Sequence, residues 1–128
     1  MGALSDARVE ATVAVSDMSR AKAYFTDTLG LTQVGGEADF FAVFECGGTR
    51  LNIYPSPYVG SAKSTVATFV VTDLDVAMAA LRQQGVVFEE YDMSDGPTTV
   101  NGVAEAGGVR SAWFKDPDGN TFALGQVL

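Results

Sequence analysis

The chain alternates apolar and polar residues in short runs, and one of those runs occurs twice. Glu10-Ala-Thr-Val-Ala-Val-Ser-Asp17 returns as Val66-Ala-Thr-Phe-Val-Val-Thr-Asp73. Both copies are rich in apolar and β-branched residues, as a largely buried strand requires, and both end on an aspartate able to cap a helix. After the first copy, Ala21, Tyr24, Phe25 and Leu29 fall on one face of a helix over 18–29, and Gly30 supplies the left-handed residue that stops it. After the second, the matching stripe is Ala77, Ala80 and Leu81, closed by Gly85. Short apolar runs then predict strands at 31–34, 39–45 and 50–54, separated by turns at Gly35-Gly36 and Cys46-Gly47-Gly48. In the second half the expected strands are 86–90, 109–115 and 121–126. The last two flank Asp116-Pro-Asp-Gly-Asn120, where Pro117 presets one φ angle and Gly119 tolerates a positive one.

The order strand-helix-strand-strand-strand is therefore played twice. This predicts an α+β domain of two tandem β-α-β-β-β modules, module one at 7–55 and module two at 65–127, joined by a turn-rich linker at 56–64. A repeat of this kind implies an approximate two-fold axis, with any shared pocket between the modules. The stretch 92–108 breaks the repeat. It holds Gly96, Pro97, Asn101, Gly102, Gly107 and Gly108, which predicts a long loop with at most a short strand near 98–103, either a pocket wall or a surface excursion.

Composition narrows the partners. With 128 residues the chain suits one domain that folds on its own core. Sixteen acidic against eight basic residues give a net charge of −8, which repels phosphate backbones and anionic lipid, so neither nucleic acid nor membrane is an expected partner. Cys46 is the only cysteine, which excludes an intrachain disulfide. The first residues lack the charged-then-apolar build of a secretion signal, and the expected location is cytoplasmic.

The strand ending Val-Ser-Asp17 before Tyr24-Phe25 and Leu29-Gly30, the second Thr-Asp73 unit, and the terminal Phe114-Lys-Asp-Pro-Asp-Gly-Asn120 together resemble the vicinal oxygen chelate superfamily. That superfamily comprises the glyoxalase, bleomycin-resistance and extradiol-dioxygenase proteins. The resemblance implies that the two modules form a cup-shaped mixed β-sheet, commonly completed in a homodimer. In metal-using members, four side chains facing the cup hold a divalent cation, one from the first and one from the last strand of each module. The matching positions here are Glu10, Asn52, Val66 and Ala123. Valine and alanine offer no lone pair, and the chain has no histidine, whereas catalytic zinc has about three protein ligands. No metal and no other cofactor is therefore expected.

Strand alternation places Glu10 and Thr12 on one face, Arg50, Asn52 and Tyr54 on another, and likewise Val66 with Thr68, Ser111 with Trp113, and Thr121 with Ala123. If the resemblance holds, these faces line the cup, and Glu10, Thr12, Asn52, Tyr54, Val66, Thr68, Trp113 and Ala123 are the expected ligand-binding residues. Trp113 and Tyr54 suit stacking on a flat ligand, or plain packing. Glu10 suits pairing with a cation, or a salt bridge to Arg50 or Arg110. Three readings follow: a metal-free binder of a drug or metabolite, cationic or aromatic; a lyase, isomerase or dioxygenase-like enzyme with Glu10 as catalytic base; and a scaffold or regulatory subunit whose cup is only core.

Overall fold

The structure, a computed structural model, describes residues 2–128. Module one runs β1 (Ala11–Val15), α1 (Met18–Ala23), a π-helical turn (Tyr24–Thr28), β2 (Thr32–Glu37), β3 (Phe41–Cys46) and β4 (Thr49–Pro55). Module two runs β5 (Thr65–Val70), α2 (Leu74–Gln83), β6 (Ala104–Ala106), β7 (Val109–Lys115) and β8 (Thr121–Val127). Each module builds a four-stranded mixed sheet, ordered β1-β4-β3-β2 and β5-β8-β7-β6, in which the first strand lies parallel to the last. The repeat read from the sequence is thus a repeat of topology. Among the described residues no helix is long and apolar enough to cross a membrane.

Both capping aspartates act as expected. Asp17 Oδ1 accepts from the Arg20 amide at 3.0 Å and Asp73 Oδ1 from the Val76 amide at 3.1 Å, each satisfying a donor the first helical turn leaves free. The last two strands of each module pair in the same register. Ala42 and Phe44 of β3 face Ile53 and Leu51 of β4, and Ala112 and Phe114 of β7 face Leu124 and Phe122 of β8. These side chains turn towards the helices and are buried with Val13, Val15, Phe25, Leu74 and Met78 in one core spanning both modules. Phe25 is its pivot: its ring lies 5.6 Å from Phe44 in its own module and 5.9 Å from Phe122 in the other.

Four expectations are corrected. Gly35-Gly36 is not a turn but part of β2, which bulges between Gln33 and Gly35; the turn falls after it, at Ala38, whose φ is 46°. Glycine is required within the strand because a Cβ on Gly36, at φ 136°, would lie 2.6 Å from the Phe41 carbonyl oxygen. The segment 86–90 forms no strand, only a bridge from Phe88 to Phe114 and a bond from the Glu89 amide to the Trp113 carbonyl, because β6 occupies the other half of the same β7 edge. The short strand expected near 98–103 lies instead at β6, while 100–103 forms a tight turn closed by paired bonds between Val100 and Val103. Finally, Ala80 is exposed, and the buried stripe of α2 is Leu74 and Met78 with Ala77 and Leu81 half-buried, the i, i+3, i+4, i+7 pattern of one helix face.

The helix expected over 18–29 also changes character. After Ala23 it widens, the Leu29 amide donating to the Tyr24 carbonyl five residues back at 3.0 Å, and Gly30 at φ 75° then releases the chain.

Candidate functional site

Cross-strand registers assign the faces. Thr12 lies beside Asn52, and Ala123 lies between Thr68 and Trp113, all on the sheet faces turned away from the helices. β1 and β5, the strands that lead each sheet, run close to one another. Val66 falls at a register shift between Thr65 and Ala67, an irregularity that interrupts the simple alternation expected of 66, 68 and 70. Thr68 and Val70 stay aligned with Ala123 and Gly125.

The structure brings Glu10 and Asn52 together. Asn52 Nδ2 donates to Glu10 Oε1 at 3.1 Å, and Arg8 Nη2 approaches Glu10 Oε2 at 3.0 Å. The salt bridge expected from Arg50 or Arg110 is therefore not the one made, since Arg110 pairs with Asp75 at 3.0 Å. The Arg8 side chain is 78% exposed and Glu10 25%, so this contact is screened and weak, whereas the amide bond is partly shielded. Asn52 Oδ1 is buried without a hydrogen-bond partner among the described residues. A buried acceptor left unpaired costs about 1–3 kcal/mol, so a donor supplied there would recover free energy.

The outer face of module two carries aromatic residues instead. Trp113 is half-buried and meets the edge of Tyr91 at 5.5 Å, the two rings being 78° apart. Tyr91 belongs to the segment leading into the long loop, and sequence periodicity carried no sign of it because no strand is formed there. Burial pushes its phenol pKa up, with Glu89 adding to the effect. The loop itself is fastened: Thr99 Oγ1 donates to Glu90 Oε1 at 2.6 Å, and the Gly102 amide donates to the same oxygen at 2.9 Å. These two bonds hold the Glu90 carboxyl below its usual range. Tyr54 is exposed at the end of β4 beside the linker.

The donor set does not fit a divalent transition metal. Glu10 and Asn52 carry oxygens, but Val66 and Ala123 carry only hydrocarbon, short of the about three protein ligands such an ion takes.

A hollow of about 540 Å³ lies on the helix-facing side of the sheets. Its walls include Ala11, Leu51, Ala67, Phe69, Ala77 and Leu81, and of the expected site residues Thr68 alone borders it. It follows the seam where α2 meets module one.

The other seam is clamped by the Asp116-Pro-Asp-Gly-Asn120 turn. Asp116 accepts from the Asp118 and Asn120 amides at 3.0 and 2.8 Å and from Asn120 Nδ2 at 2.9 Å. Asn120 Nδ2 also donates to the Ala14 carbonyl at 2.8 Å, and Asp118 accepts from Ser16 Oγ and from Arg20 Nη2. Burial pushes the Asp116 pKa up against the pull of these bonds.

Comparison with known proteins agrees with this architecture. The chain is similar in fold to an antibiotic binding protein from Streptomyces sp. CB03234, with a TM-score of 0.71, 23% identity and coverage of 97% of this chain and 98% of that one. It is similar in fold to lactoylglutathione lyase from Agrobacterium tumefaciens, with a TM-score of 0.70, 18% identity and coverage of 94% and 93%. The fosfomycin resistance protein FosX from Listeria monocytogenes superposes with a TM-score of 0.69 at 16% identity, covering 96% and 94%. Among curated proteins none matches this sequence. The two tandem modules, their parallel first and last strands and a family match over residues 8–124 place the chain in the Glyoxalase/Bleomycin resistance protein/Dioxygenase superfamily.

Proposed function

We propose that this protein is a metal-free small-molecule binder that takes a cationic, flat ligand, such as a drug or metabolite, on the Glu10–Asn52 face. The observation that carries the reading is the Glu10–Asn52 pair itself, a carboxylate bonded to an amide whose Oδ1 is buried and unpartnered among the described residues; the matching positions of module two, Val66 and Ala123, offer no ligand to a metal. A ligand N–H would satisfy Asn52 Oδ1, and its positive charge would compete with exposed Arg8 for Glu10. In this reading the aromatic wall comes from Trp113 and Tyr91, which meet edge to face on module two, and it favours a planar cation by stacking and cation–π attraction. The net charge of −8 adds long-range attraction for the same ligand class. Similarity in fold to an antibiotic binding protein supports small-molecule binding.

A homodimer belongs to this reading. Phe41, Tyr54, Val70 and Val127 are exposed on or beside the outer sheet faces, and a second copy would remove that apolar surface from water.

Calorimetry with proflavine, a planar cationic dye, tests the proposal. The expected result is binding that persists in chelator and weakens about tenfold in Glu10→Ala, since one charge-assisted contact contributes about 1.4 kcal/mol or more. Equal affinity in wild type and variant, or loss of binding in chelator, counts against it.

A further inference from the structure

The two modules repeat, yet their two seams do not. Where α1 meets module two, Phe25 fills the contact against Phe122 and is 1% exposed. The repeat places Leu81 at the position of Phe25 and Ala80 at that of Tyr24. At the first seam the five-residue β7–β8 turn docks on the end of β1 through Asn120 and Asp118. Its twin, the β3–β4 turn, is only Gly47-Gly48; Gly47 borders the same hollow as Val70 and Val71 at the end of β5, and the turn makes no hydrogen bond to them among the described residues. Smaller side chains and a shorter turn leave the second seam unfilled, and the hollow of about 540 Å³ is the result.

From this broken symmetry we infer that the α2 seam is a second binding site, for a neutral, compact apolar molecule. The volume falls within the range of about 300–1,000 Å³ typical of small-molecule sites. Protein interiors are close-packed, and a hollow of this size bordered by alanine, leucine and phenylalanine gains free energy when apolar atoms replace water in it. Thr49, Thr68, Cys46 and Arg50 are the polar or ionisable residues on its border, and no carboxylate borders it, so nothing there selects the cation taken on the Glu10 face. The Leu51, Ala67, Phe69 and Leu124 side chains alternate with Asn52, Thr68 and Ala123 along their strands, so the hollow's apolar wall lies on the opposite face from Asn52 and Ala123, with Arg50, Thr68 and Val70 at its border. Binding in the α2 seam does not depend on the ligand proposed for that other face.

Titration with N-phenyl-1-naphthylamine, a neutral dye that fluoresces in apolar surroundings, tests it on the intact protein. One dye per chain is expected to bind wild type and Glu10→Ala alike, and proflavine is not expected to displace it. Leu81→Phe, which restores the aromatic group of the filled seam, should weaken dye binding at least tenfold. Cys46 gives a reading that needs no variant, because it borders the hollow and is half-buried. Saturating dye should slow its reaction with a thiol reagent several-fold. Absence of dye binding, unchanged binding in a folded Leu81→Phe, or a Cys46 rate indifferent to dye would overturn the site.

Discussion

At the scale of single residues, environment rather than residue type decides what each group can do. Tyr24 sits over Phe25, edge to face at 5.6 Å, half-buried and close to Asp116. Burial, aided by the negative charge of Asp116, pushes its phenol from 10.0 up to about 12. The unfolded chain ionises this phenol from about pH 10 and the folded chain holds its proton until about 12, so folding stability falls as pH rises through that window. Absorbance titration of phenolate is therefore expected to show a phase near pH 12, and Tyr24→Phe should remove that phase while retaining more stability in the same window. Asp116 offers a second test at this scale. Its carboxylate accepts three hydrogen bonds, and Asp116→Ala would leave those donors unpaired, costing about 2–3 kcal/mol in a urea melt at neutral pH. A loss below about 0.5 kcal/mol would show that the turn holds without it. The sequence announced Asp116 as a turn residue, since Asp-Pro-Asp-Gly-Asn carries that chemistry openly. It gave no sign that Asp118 and Asn120 reach Ser16, Arg20 and Ala14 about a hundred positions away, because such contacts depend on how two modules meet.

The elements were legible wherever one residue pattern had one physical solution. Alternation set the faces of β1, β4, β7 and β8 correctly, because a one-residue slip would send Leu51 or Phe122 into water. The patterns failed where glycine or a competing strand gave a second solution. Gly35-Gly36 suits a turn as well as a bulged strand, and only the nearness of the Phe41 carbonyl separates the two. Gly36→Ala is accordingly expected to destabilise by about 1–3 kcal/mol, the cost of strained backbone, and to loosen amide protection along β2 and β3. Protection unchanged across Phe41 to Phe44 would place the strain elsewhere. Segment 86–90 has the apolar content of a strand, yet it shares the edge of β7 with β6 and so receives a single bridge. The Glu10–Asn52 contact was half legible: alternation put both residues on faces turned away from the helices, but the choice of Asn52 and Arg8 over Arg50 and Arg110 as partners is a matter of distance across strands.

Across the whole molecule, the two modules are held by one core rather than by two. Phe122 of module two touches Phe25 of module one at 5.9 Å, stacks on Phe114 at 5.6 Å and lies 5.8 Å from Phe69. A ring shared in this way makes neither module complete without the other, since the apolar faces of both sheets are covered only when they meet. Unfolding is therefore expected as one cooperative transition in calorimetry, with the calorimetric and van't Hoff enthalpies equal. Phe122→Ala should cost about 3–5 kcal/mol and keep that single transition, because the cavity it opens weakens both modules together. Two resolved transitions, or a variant that melts only module two while amides around Phe44 and Ile53 stay protected, would show that the modules stand alone. The same shared core explains why the seams matter for binding. A ligand filling the α2 seam would occupy, beside Leu51 and Leu81, the space that an aromatic ring occupies at the first seam, so its binding should raise Tm for the entire chain.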